Sequence, residues 1–190
     1  EDLTPDDTAL QLLSLEYSTH NLPMYNSPDF SQGITNGYDW YWANGTLQDW
    51  SYDQTGCLDF TMELNDVKWP PASALAGLWD DNRKSLLAFT AGARYGVNGI
   101  VTDAVTGLPL DAVITVTGNS KPVVTDPTHG DYYKVLHTGT FELTFEATGY
   151  TSQTIGGVST TWGTPKVHNV ALRPGPSTVP QGTPLAHRAA

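Results

Sequence analysis

The sequence predicts an α/β segment followed by an all-β sandwich. Three observations predict it. Apolar residues recur at helical spacing near the start and again between Leu75 and Tyr95. An apolar, partly alternating run spans residues 57–65. After Gly96 the texture changes to short β-branched runs separated by turn residues, as far as Leu172.

Taken in order, Thr4-Pro5-Asp6-Asp7 reads as a helix start. Thr caps, Pro occupies the first turn, and acids sit near the positive end of the helix. Leu10, Leu13 and Tyr17 extend that helix over about residues 5–19. From His20 to Gly37 the chain is rich in Asn, Pro, Ser and Gly and reads as a long loop. Loops of that length in compact domains are usually functional or covering. Residues 57–65, Cys-Leu-Asp-Phe-Thr-Met-Glu-Leu-Asn, predict a strand, and Pro70-Pro71 then breaks the chain. Leu78, Trp79, Leu86, Leu87 and Phe89 predict an amphipathic helix from Leu75 to Tyr95. The sandwich is read from the runs 99–102, 112–116, 132–136, 140–145 and 167–172. From Arg173 onward Pro, Gly, Ser, Thr and Gln predict a disordered tail. The expected boundaries are therefore 1–95, 96–172 and 173–190.

Composition narrows the partners. The 190 residues suit one domain or two small ones, and 39% hydrophobic content with 11% aromatic is enough for a packed core. Only 15% of residues are charged, so polar surface must come from Thr, Ser, Asn, Gln and Gly, a composition common outside cells. A net charge of −11 argues against nucleic acid and anionic membranes, which need basic clusters. No apolar run has membrane-spanning length. Cys57 has no intrachain partner, which rules out a disulfide framework within the chain and suggests a small core residue. Glu1-Asp2-Leu3-Thr4-Pro5 has no Met and no signal pattern and does not look like a natural start.

Four blocks in order carry a resemblance. They are Gly33-Ile-Thr-Asn-Gly-Tyr-Asp-Trp-Tyr41, Gly45-Thr-Leu-Gln-Asp-Trp-Ser-Tyr52, Phe60-Thr-Met-Glu-Leu64 with Lys68-Trp-Pro70, and Gly96-Val-Asn-Gly-Ile-Val-Thr-Asp103 continuing through Gly130-Asp-Tyr-Tyr133 to Gly149-Tyr150. Together they resemble the zinc metallocarboxypeptidases, in the branch that includes carboxypeptidases D, E, M and N. The resemblance implies the end of a mixed-sheet catalytic domain followed by a transthyretin-like, seven-stranded sandwich. It implies hydrolysis of the C-terminal peptide bond of peptides or proteins, in a secreted setting.

Residue by residue, Glu63 then matches the catalytic glutamate, which takes a proton from the attacking water and passes it to the leaving amine. Tyr41 matches the tyrosine that closes over bound substrate. Gln48 matches a position at the base of the specificity pocket, where Gln suggests a preference for C-terminal Lys or Arg. Lys68 fits the cleft rim, with a surface role favoured. Asn44-Gly45-Thr46 also reads as a glycosylation sequon. The family's zinc implies a His-x-x-Glu pair and a later His, and no His-x-x-Glu occurs here. His20, His129, His137, His168 and His187 match no ligand position, so the metal ligands are expected upstream and no zinc is expected in this chain alone. The missing N-terminal half of the catalytic domain is accordingly an expected partner. The alternative reading is a non-catalytic fragment whose sandwich serves as a folding, docking or binding module.

Overall fold

The computed structural model describes residues 3–176 and divides into two compact units. One comprises Asp7–Gly92 with the residues up to Leu3, and the other joins Thr4–Asp6 to the chain from Ala93 onward.

The first unit is helical. Helix α1 (Asp7–Ser18) buries Leu13 and Tyr17, as their spacing predicts, together with Ala9, while Leu10 is half-buried. The expected loop after it contains two short turns of helix, α2 (Leu22–Tyr25) and a 3-10 turn at Ser31–Gly33. Two more helices follow, α3 (Gly37–Trp40) and α4 (Leu47–Thr55). Helix α5 (Leu75–Gly92) ends three residues before the predicted Tyr95. A buried amide links α1 to α5. Asn82 Oδ1 accepts from the Tyr17 hydroxyl at 2.7 Å and from Asn21 Nδ2 at 2.9 Å, while Asn82 Nδ2 donates to the Leu78 carbonyl at 2.8 Å. Burial also pushes the Tyr17 hydroxyl pKa up.

The strand expected over 57–65 is not formed, and no strand occurs among the described residues of this unit. The alternation is present in the sequence, but a strand is defined by ladder partners, and no described segment of the unit pairs with this one. Cys57 is correspondingly exposed rather than a core thiol.

The second unit is a two-sheet sandwich. Its strands are β1 (Gly96–Asp103), β2 (Ala112–Val116), β3 (Asn119–Val124), β4 (Asp131–Lys134), β5 (Gly139–Ala147), β6 (Gln153–Thr160), β7 (Pro165–Val167) and β8 (Val170–Leu172). One sheet runs β4-β1-β7, with β8 also on β1, and is mixed; the other runs β3-β2-β5-β6 and is antiparallel. Inward residues of both sheets form one core, including Val97, Val101, Ile114, Tyr132, Leu143, Phe145 and Leu172. Tyr132 and Phe145 meet edge to face at 5.5 Å.

Strands β7 and β8 keep one register along β1, before and after a gap at His168 and Asn169. Gly99 lies opposite that gap, and a Cβ there would collide with the His168 carbonyl. The gap is bonded all the same. His168 N donates to the Asn98 carbonyl at 2.8 Å, and Ile100 N donates to Asn169 Oδ1 at 3.0 Å. The seven expected strands are thus present, with the last one divided.

Residues 4–6 belong to this sandwich. Lys134 points inward from β4 with its side chain 4% exposed, beside Asp6 at 5%. Its ammonium donates to Asp6 Oδ1 at 2.8 Å, to Asp6 Oδ2 at 3.1 Å and to the Lys121 carbonyl at 3.0 Å. Asn119 Nδ2 donates to Asp6 Oδ1 at 2.6 Å. Buried charges are tolerated when paired and hydrogen-bonded in this way. At the other boundary, Thr151 N bonds the Arg173 carbonyl at 2.9 Å and Gly175 N bonds the Gly149 carbonyl at 3.0 Å. The ordered chain therefore continues past the expected start of the tail at 173. Residues 177–190 of that tail lie outside the described residues.

The turn after β1 carries a pH-dependent contribution. Asp103 accepts from Val105 N at 2.6 Å, from the Tyr150 hydroxyl at 2.8 Å and from Thr106 N at 3.1 Å. These bonds favour the carboxylate, with the Val105 N–H foremost, and hold the Asp103 pKa below its ordinary value. A depressed folded-state pKa adds stability above the unfolded-state pKa, and that contribution is lost as pH falls through the folded value. Asp103→Asn should therefore flatten the acid limb of stability. Urea midpoints measured from pH 6 down to pH 3 would check this, and an unchanged acid limb would remove Asp103 from the account.

Candidate functional site

The segments that carry the sequence-predicted residues are set by local caps. The Asn36 side chain accepts from Tyr38 N and starts α3. Tyr41 follows in extended conformation (φ −159°, ψ 149°), with its N–H on the Gly37 carbonyl at 3.1 Å. Its ring meets Trp40 edge to face at 5.0 Å, and Trp40 meets Phe30 at 5.5 Å. Tyr41 itself is 59% exposed.

Helix α4 begins at a reciprocal cap. Thr46 Oγ1 accepts from Asp49 N at 3.1 Å and donates to Asp49 Oδ2 at 2.7 Å. The helix ends at Gly56 in the left-handed conformation, φ 70°. This helix was not expected from the sequence, although Thr46 followed three residues later by Asp49, with Gly56 beyond, is the start-and-stop signal that finds it. Gln48 sits in its first turn and is exposed. After Gly56 the chain passes back beside α4, and the Thr61 hydroxyl donates to Gln48 Oε1 at 3.0 Å. One residue earlier, Phe60 packs edge to face on Phe89 of α5 at 4.9 Å.

Glu63 is exposed, three residues beyond the Phe60 anchor and two beyond Thr61. The structure thus brings Gln48 to the Glu63 segment through Thr61, a residue that sequence reasoning did not single out. Tyr41 is held by aromatic contacts on α3. Lys68 is exposed. His20, the one histidine among residues 3–95, has Nδ1 2.8 Å from the Glu16 carbonyl. No group of three or more His, Cys, Asp or Glu side chains gathers near Glu63 among the described residues.

The same stretch is unusually apolar for a surface. Trp40, Trp42, Leu47, Trp50, Leu64, Val67 and Trp69 are all exposed, Trp69 to 93%. Single exposed apolar side chains are ordinary, whereas a concentration of large ones is a feature of interaction surfaces.

A family model described as zinc carboxypeptidase matches residues 1–85. Carboxypeptidase SOL1 of Arabidopsis thaliana is 40% identical over 152 residues, covering 79% of this chain and 31% of that protein. Carboxypeptidase D of Homo sapiens is 41% identical over 157 residues, covering 77% of this chain and 11% of that protein. The carboxypeptidase N catalytic chain of Mus musculus is 38% identical over 156 residues, covering 80% and 34%. The chain spans about a third or less of the length of these curated relatives. Among solved structures, a type II cohesin–X-dockerin complex from Acetivibrio cellulolyticus aligns with 40% of this chain and 50% of its own at 22% identity. The TM-score is 0.31, too slight a likeness to bear on fold.

Proposed function

This chain belongs to the zinc carboxypeptidase family, and from that premise we propose that it carries the general base and the substrate-closing segment of a metallocarboxypeptidase. In this reading Glu63 takes a proton from the attacking water and returns it to the amine that leaves. An exposed carboxylate on a segment anchored by Phe60 is suited to that exchange. Tyr41, an exposed residue, closes over the substrate through its hydroxyl. Gln48 faces the side chain of the residue to be removed. Its Oε1 accepts from Thr61 and keeps a second lone pair for a cationic side chain. The substrates are the C-termini of peptides or proteins, in a secreted or extracellular setting. No described helix is long and apolar enough to cross a membrane.

The family implies a zinc ion in the complete enzyme. A catalytic zinc takes three protein ligands, and the residues around Glu63 do not form such a set. The described residues around Glu63 therefore do not fit that ion, and in this reading its ligands lie in the rest of the catalytic domain, which would cover the exposed residues between Trp40 and Trp69.

The observation that carries the proposal is the match over residues 1–85, which contains Tyr41, Gln48 and Glu63 together. The test is hydrolysis of peptides ending in Arg, Leu and Phe, by the chain alone and by the chain joined to its upstream coding sequence. Turnover is expected only in the joined form, with Arg preferred. A clear preference for Phe would reject the role of Gln48 while leaving the family reading intact. No hydrolysis by a joined form that is folded and zinc-loaded would select the non-catalytic alternative, in which the sandwich with its own core acts as a docking module.

A further inference from the structure

We propose that the turn between β3 and β4 binds a divalent transition-metal ion through Asp126, His129 and Asp131. Each side chain offers one donor atom, and the three atoms lie within 4.8 Å of one another. They are the one such group among the described residues. None of the three lies in the matched residues 1–85, and the expectation that the chain alone takes no zinc concerned the ligands of the catalytic ion.

The backbone sets the spacing before any ion arrives. Asp126 N donates to the Asp131 carbonyl at 2.9 Å and Gly130 N donates to the Asp126 carbonyl at 2.6 Å. The first and last ligands are therefore bonded across the turn, with His129 between them. Asp126 Oδ1 accepts from Thr128 N at 2.8 Å and from His129 N at 2.9 Å. Those bonds all fall on one oxygen of the carboxylate. Gly130 has φ +73°, and a Cβ there would press on the Val101 carbonyl and Pro109, so the turn is pinned to the body of the sandwich.

The donor set selects the ion. One imidazole nitrogen with two carboxylates suits zinc, cobalt, nickel or copper. Calcium takes six to eight oxygens, which this turn does not supply, and magnesium has little use for imidazole. Asp126 and His129 are exposed and Asp131 is partly so, which leaves room for water to complete the coordination. The competing arrangement of the same atoms is a plain ion pair, since His129 Nδ1 already lies 3.1 Å from Asp126 Oδ1. The two arrangements differ in Asp131. An ion pair does not require it, whereas the metal site does.

The experiment is calorimetric titration of the chelator-treated chain with zinc, repeated with cobalt, calcium and magnesium. A single saturable zinc site is expected, with weaker cobalt binding in the usual order of these metals and no calcium or magnesium binding. His129→Ala and Asp131→Asn should each weaken zinc by at least ~10-fold, with urea midpoints close to the parent chain's. The ring signals of His129 should shift at stoichiometric zinc. Absence of saturable zinc binding would overturn the proposal. Unchanged affinity in Asp131→Asn would also overturn it and leave only the Asp126–His129 ion pair. Calcium binding as tight as zinc would reject the ion class.

Discussion

In an enzyme that carries the upstream half of the catalytic domain, Glu63→Gln should lower kcat/KM by at least ~10²–10⁴-fold, the loss that follows removal of a general base. Gln has nearly the shape of Glu but cannot take a proton from water. The exchange is conservative for the fold, because Glu63 is exposed and its segment is fixed by Phe60 on Phe89 at 4.9 Å. Zinc content and urea midpoint should match the parent enzyme, which separates lost chemistry from lost structure. Tyr41→Phe should act differently. It removes one hydroxyl contact and leaves the ring on Trp40, so KM should rise with a smaller effect on kcat. Near-normal turnover in Glu63→Gln would remove the central residue of the proposed function.

Lys134→Met should lower the unfolding free energy of the sandwich by about 3–5 kcal/mol, the usual cost of leaving one member of a buried ion pair without the other. Asp6 would keep the Asn119 amide at 2.6 Å but lose its counter-charge. Asp6→Leu should cost a similar amount, since the ammonium would keep only the Lys121 carbonyl among the bonds described above. The double substitution should cost clearly less than the two singles added, because no buried charge is then left alone. Urea unfolding of the four chains gives the coupling directly, and strict additivity would show that the pair contributes nothing. The sandwich cut out as residues 97–172 is a related case. Sequence reasoning expects it to fold alone, yet it would lack Asp6. Lys134→Met should therefore stabilise the excised sandwich even though it destabilises the whole chain. That reversal of sign is a sharper readout than either value alone.

Periodicity made the two long helices and most of the sandwich core legible in the sequence. Leu13 and Tyr17 are buried on α1 as their spacing requires, and 112–116 is a strand over that whole run. The two strands that the β-branched runs did not mark, β3 and β6, lie at the two edges of their sheet. β3 contains Pro122 and β6 contains Gly156 and Gly157, residues that edge strands accept and that weaken a strand signal. The segment 57–65 failed in the opposite sense. Its alternation is sound, but periodicity reports which face is apolar and not whether a partner strand is present. Helix α4 has little apolar periodicity, and its sequence signal lies in Thr46, Asp49 and Gly56, which fix its ends. For the site, Glu63, Tyr41 and Gln48 came from the order of the blocks. Thr61 could not, because a hydrogen bond between positions 48 and 61 leaves no periodic trace. In the sequence Asp6 has the position of a helix-start acid, and only the folded chain shows that its partner is Lys134.

The link between Asp6 and Lys134 also has a consequence for synthesis on the ribosome. The two residues are 128 positions apart. At ~5–20 residues per second, roughly 6–26 s separate the appearance of the aspartate from that of the lysine. Throughout that interval the acid remains hydrated, and every helix from α1 to α5 can form before Lys134 is made. Completion of the pair must then await a closure over most of the described chain, the kind of long-range contact that slows folding. Ribosome-bound chains halted short of residue 134 should hold residues 4–6 open to proteases. Chains halted far enough beyond 172 for the last strand to clear the exit tunnel should protect them.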